Sequence, residues 1–151
     1  MRIPPSILAA FICCLVPLAA TDSIPAPVNW NENPNCPRTR ALNNIRQFRS
    51  EGYQVRDGYW TGVLTRGQPL VLDLHLFSGN NYWFSAASCD ASTLLRISLF
   101  DSKGNPAGSE PVAEPGRATA LISVARSGRY FLRLEMTEGD KAETSVVYSY
   151  K

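Results

Sequence analysis

The chain has a single histidine, His75, in 151 residues, which removes most acid–base and metal chemistry at the outset. Cysteine is nearly as sparse. Two of the four, Cys13 and Cys14, sit in an N-terminal apolar stretch, leaving Cys36 and Cys89 for the rest. That inventory falls short of an ordinary structural zinc site. No charge of one sign dominates either: 15 basic side chains stand against 13 acidic ones, for a formal net charge of +2. The broad basic field that duplex nucleic acid requires is therefore missing. Long hydrophobic runs are absent too, since the apolar stretch over 7–18 is about 12 residues, too short to cross about 30 Å of hydrocarbon as a helix. There is no G-x-S-x-G elbow, no phosphate-binding glycine loop and no dinucleotide fingerprint. These absences point away from nucleic acid, stable membrane insertion of the mature chain, metals, cofactors and catalysis.

Two chemical arrangements still have to be weighed. A Ser-His-Asp relay would run through His75, with Asp73 on the same strand face and Ser78 or Ser98 nearby. A histidine on a sheet surface is the plainer reading. A calcium loop over Asp101, Lys103 and Asn105 is broken by the lysine and by Pro106, where an EF-hand needs glycine. A cation held between Asp90 and Asp101 is the remaining metal arrangement.

What the chain does contain is an ordinary globular balance, 44% hydrophobic and 19% charged, with 11 prolines and 10 glycines as turn-formers. Arg2, the apolar stretch and the small residues Ala19, Ala20 and Thr21 form a secretory signal over 1–20, which sends the remainder to the periplasm or outside the cell. In an oxidising compartment Cys36 and Cys89 pair as a disulfide worth roughly 4 kcal/mol, two buried thiols being the alternative. Residues 21–35 form an extended leader rich in proline and asparagine. Trp30 is its one large anchor, facing either the rest of the protein or a ligand. Residues 36–151 make up the folded part.

A helix opens that part. Asn35 is placed to cap it, and Cys36 and Pro37 occupy its first turn. Ala41, Leu42, Ile45 and Phe48 form one stripe, and Gly52 stops the helix. Beyond Gly52 the period changes to two. Strands are expected over 59–64, 68–77, 82–87, 94–101, 117–124, 129–136 and 143–150, separated by turns such as Ser78-Gly79 and Ser127-Gly128. Leu70, Leu72, Leu74 and Leu76 share one face, as do Leu95, Ile97 and Leu99, and likewise Leu132, Leu134 and Met136. One apolar face per strand, with no helices between strands, predicts an all-β fold. It is an antiparallel sandwich or jelly roll of about seven or eight strands, with the N-terminal helix packed on it. Opposite the leucine stripe stand Trp83, Phe77, Phe100 and Phe131 with Arg96 and Arg133. Either the helix and leader cover these aromatics or they form a recognition surface, since aromatics with arginine dominate binding hot spots.

Residues 59–150 resemble the bacterial pre-peptidase C-terminal type of domain. The resemblance rests on Gly62-Val63-Leu64, Gly79-Asn80-Asn81-Tyr82, the run from Ile97 through Asp101 to Gly104, and Ser127-Gly128-Arg129-Tyr130. It implies a small β-sandwich and a non-catalytic, secretion-associated binding or accessory module, though no peptidase precedes it in these residues. The chain is also similar to periplasmic inhibitors of invertebrate- and goose-type lysozymes. That likeness implies inhibitory loops at Ser78, Gly79 and Tyr82 and at Ser127, Gly128 and Tyr130, with Arg133 beyond. The stretch Glu138-Gly139-Asp140-Lys141 lacks the arginines expected of the goose-type inhibitors. The function expected is recognition of a protein or envelope glycan, with inhibition of a secreted hydrolase such as lysozyme as the alternative.

Overall fold

The computed structural model describes residues 36–46, 48–56 and 60–151; the expected signal, leader, Trp30 and Asn35 cap lie outside them. The described residues contain helix α1 (Cys36–Arg46), a 3-10 turn (Arg49–Glu51) and ten strands. These are β1 (Gln54–Val55), β2 (Trp60–Thr65), β3 (Leu70–Leu76), β4 (Asn81–Ser88), β5 (Leu94–Asp101), β6 (Pro106–Ala107), β7 (Val112–Glu114), β8 (Arg117–Ser123), β9 (Gly128–Glu138) and β10 (Lys141–Tyr150). All seven expected strands are present. The additional β1, β6 and β7 are two or three residues long, too short to show an alternation.

Every strand pairing is antiparallel. One sheet runs β10-β4-β8-β7, with β1 and β2 both pairing with the far side of β10; the other runs β3-β9-β5-β6. The leucine stripe of β3, the Leu95-Ile97-Leu99 face of β5 and the Leu132-Leu134-Met136 face of β9 turn inward. There they meet Tyr82, Phe84 and Ala86 of β4, Ala118, Ala120 and Ile122 of β8, and Val146 of β10. The two-layer sandwich thus follows from period-two burial on both sheets.

Helix α1 ends at Arg46, short of the expected stop. Phe48 N–H donates to the Ile45 carbonyl and Glu51 N–H to the Phe48 carbonyl, so the backbone tightens into three-residue turns before Gly52. The stripe survives: Ala41 and Ile45 are fully buried against Ala87 of β4 and Val147 of β10, with Leu42, Val55 and Trp83 around them. Phe48, outside the helix, lies 4.1 Å from the Trp83 ring by centroids. The helix therefore covers the outer face of the β10-β4 pair. Outward positions there are small, including Ser85, Ala87, Ser145 and Ser149, which lets a helix approach closely. Asn44 Nδ2 donates to Ser85 Oγ at 3.1 Å and Arg40 donates to the Ser88 carbonyl at 2.6 Å. A Cys36–Cys89 disulfide ties the helix start to the residue after β4, with Cα atoms 6.0 Å apart.

Candidate recognition face

With α1 seated on one sheet, the outer face of the β3-β9-β5-β6 sheet is left uncovered by any described residue. Strand alternation sends Val71, Asp73 and His75 of β3 outward, and the same rule does so for Arg129, Phe131, Arg133 and Glu135 of β9 and Arg96, Ser98 and Phe100 of β5. The register sets these side chains in rows. Asp73, Phe131 and Phe100 stand abreast, with Pro106 at the end of that row. Val71, Arg133 and Ser98 form the next row, and Glu135 faces Arg96 in the one beyond. His75 stands beside Arg129 on the other side. Phe77, 47% exposed, follows β3 and meets the His75 ring edge-on at 5.1 Å.

Charge on this face is organised by β3–β9 pairing. Arg129 Nε and Nη2 grip the Asp73 carboxylate at 2.7–3.0 Å, a bidentate geometry. The guanidinium hydrogen bonds hold the Asp73 carboxyl below its ordinary value, and the carboxylate raises Arg129 in return. The same guanidinium sits 5.0 Å from the centre of the Phe131 ring, in cation–π range. Arg133 pairs with Glu135 at 2.7 Å, while Arg96 has no ion pair among the described residues. Three arginines against two acids leave the aromatic rows with a modest positive excess.

The two Ser-Gly turns meet at the end of this face. Ser78 N–H donates to Ser127 Oγ at 2.8 Å, and the two hydroxyls lie 3.1 Å apart. Gly79, at φ +81°, takes the left-handed conformation that closes the β3–β4 turn without a Cβ penalty. Gly128 opens β9, and the Tyr130 hydroxyl donates to the Arg126 carbonyl at 3.0 Å.

Several expectations are corrected by this geometry. Trp83 does not share the face: β4 belongs to the other sheet, and Trp83 lies under Phe48. It lines a hollow of about 310 Å³ with Asn44, Val112, Glu114 and Arg117. Periodicity assigned the side of a strand but not the sheet in which it sits. Tyr82 is not a rim residue. It is 1% exposed, and its hydroxyl accepts from Phe77 N–H at 3.0 Å and Asn80 Nδ2 at 3.3 Å, so it braces the turn from inside. The Asp90–Asp101 cation pair is not assembled, because the two acids flank opposite ends of β5, about 20 Å apart at strand rise. Each carboxylate is instead occupied by its own loop, Asp90 by Ser92 and Asp101 by Lys103 and Asn105. No hydrogen bond joins His75 to Asp73, Ser78 or Ser98, and Asp73 is engaged by Arg129 instead. Sequence reasoning passed over Arg129, which sat only as the free position of Ser-Gly-Arg-Tyr. Its partner is 56 residues away and is brought near only by strand pairing.

Comparison with solved structures adds a likeness of fold. No family model matches the chain. No curated protein matches it either. Among solved structures it is similar to the crystal structure of PliG from Aeromonas hydrophila, a periplasmic inhibitor of g-type lysozyme. Identity is 14%, the match covers 67% of this chain and 90% of that one, and the TM-score is 0.47. At that level the likeness bears on neither target nor mechanism. No described helix is long and apolar enough to cross a membrane.

Proposed function

We propose that this protein is a non-catalytic binding module of the periplasm or cell exterior, recognising a protein or an envelope glycan through the outer face of its four-stranded sheet. The observation that carries this reading is the uncovered arrangement of Phe100 and Phe131 in register with Arg96, Arg129 and Arg133, with Phe77 just beyond the end of β3. Aromatic rings supply stacking area at little cost in side-chain entropy, and guanidinium groups address carboxylates in a fixed geometry. The Cys36–Cys89 disulfide supports an oxidising compartment. Inhibition of a secreted hydrolase such as lysozyme is the second reading. It is favoured by the hydrogen-bonded Ser78 and Ser127 turns, which place two short loops together at one end of the face.

Amide NMR of isotopically labelled protein, titrated separately with solubilised peptidoglycan fragments and with a goose-type lysozyme, tests both readings. The binding-module reading expects shifts concentrated on Phe77, Arg96, Phe100, Phe131 and Arg133. It also expects Phe131→Ala and Arg133→Ala each to weaken binding about tenfold, as for residues at an interface hot spot, with an unchanged Tm. Perturbations confined to the Trp83 hollow would remove the face from consideration. The inhibitor reading expects equimolar protein to abolish lysozyme activity, with shifts centred on Ser78 and Ser127.

A further inference from the structure

Sheet edges are hazardous because unpaired N–H and C=O groups invite another strand, and proteins blunt them with short strands, prolines and lysines. Two edges of this sandwich are treated that way among the described residues: β6 is two residues long and begins with Pro106, and β7 is three residues long. The edge beyond β10 is divided between β1, two residues long, and β2, six residues interrupted by Gly62. β3 is the longest edge and is unbroken. It is a seven-residue edge, LVLDLHL, with no proline, lysine or bulge. Behind it the sandwich is open: a cleft of about 340 Å³ lies between Leu72 and Leu74 on one side and Trp60 and Tyr148 on the other. Leu70, Leu72 and Leu74 are consequently only half-buried.

We propose that β3 pairs antiparallel with β3 of a second copy, about a two-fold axis through Leu74. A two-fold axis perpendicular to the sheet keeps outward residues outward in both copies, so facing positions must share parity. Three centres keep most of the strand paired. An axis through Asp73 sets Asp73 against itself, a like-charge pair directly opposite, which is destabilising. An axis through Leu72 sets Val71 against Asp73 of the second copy. An axis through Leu74 is complementary along its whole length. Asp73 then faces His75 of the second copy, an acceptor against an imidazole N–H, and Leu72 faces Leu76. Val71, 56% exposed, faces Phe77, 47% exposed, so that two of the four large exposed hydrophobics among the described residues cover one another. By symmetry each of these contacts occurs twice. The joined sheets present the aromatic and arginine rows side by side on one continuous outer face, which does not depend on what that face recognises.

Sedimentation velocity of the purified protein from about 5 to 500 µM, with no ligand present, reads this directly, since a one-strand interface lies at the weak end of protein association. The expected result is a concentration-dependent monomer–dimer equilibrium. His75→Asp places like charges opposite one another twice and weakens association at least about tenfold. Combining it with Asp73→His restores the complementary pair and recovers most of the loss. Both substitutions are on exposed positions, so far-UV circular dichroism should be unchanged. Oxidised Leu74→Cys protein should cross-link across the axis through position 74, whereas Leu72→Cys, four residues out of register with its own copy, should not. A monomer at every concentration, including the case in which β3 serves only a foreign strand, overturns the proposal. So does a dimer indifferent to His75→Asp, or one that cross-links through Leu72→Cys in preference.

Discussion

Replacing Cys36 and Cys89 together by alanine removes a cross-link spanning 53 residues. On the chain-entropy model a loop of that size is worth about 4 kcal/mol at 25 °C, because the freed unfolded chain regains the conformations that the bridge denied it. That is a large share of the roughly 5–15 kcal/mol by which folded domains exceed their unfolded states. The location adds a second effect. Helix α1 has 11 residues, too few to persist alone in water, and depends on Ala41 and Ile45 being seated on Ala87 and Val147. Burying the Ile45 side chain is worth about 2–3 kcal/mol, so the seat should hold, with less margin, once the bridge has gone. Urea unfolding of the double variant should therefore show a loss of about 4 kcal/mol in one transition. Hydrogen exchange should accelerate first in α1 and at the Ser88 end of β4, next to the lost bridge. A loss under about 1 kcal/mol, with α1 protection unchanged, would refute the claim that the bridge constrains the unfolded chain.

Acid should weaken the fold through three carboxyls. Asp73 is held below its ordinary value by Arg129, Asp90 by Ser92 and Asp101 by Asn105. Each folded value lies below the unfolded one, so the stabilisation is complete above the ordinary carboxylate range and is lost as pH falls through that range towards the lowered values. Urea midpoints should stay level above about pH 5 and decline below about pH 4. Asp73→Asn combined with Asp101→Asn should flatten the decline, and an unaltered slope in that variant would refute the assignment. Tyr82→Phe leaves the Phe77 N–H without its acceptor beneath the turn and should cost about 1–3 kcal/mol in urea unfolding. It should leave ligand affinity unchanged, because the hydroxyl braces the loop from within.

Strands with one face in the core and one in water were the legible ones. β3, β5, β8 and β9 alternate because inside and outside differ for each of them. β4 and β10 were harder: α1 covers their second face, so Ser85, Ala87, Ser145 and Val147 are as buried as their inward neighbours and the contrast fades. The small residues at those outward positions were the available signal for the helix seat. Parity placed Phe100, Phe131, Arg96 and Arg133 together, but could not show that Trp83 belongs to the opposite layer, because strand order is not a periodic property. The Asp73–Arg129 grip was invisible for a related reason, since it exists only where β3 lies against β9.

The position of β10 bears on how such a chain is made. This strand is last in order, yet β1, β2 and β4 all pair with it and α1 rests on Val147. A nascent chain that has emerged only as far as β9 holds the partners of that sheet without the strand that joins β2 to β4. Until Lys141–Tyr150 follow, β1 and β2 have no partner strand and α1 has only the β4 half of its seat. The sheet that carries the helix therefore closes only when β10 slides into the lane between β2 and β4.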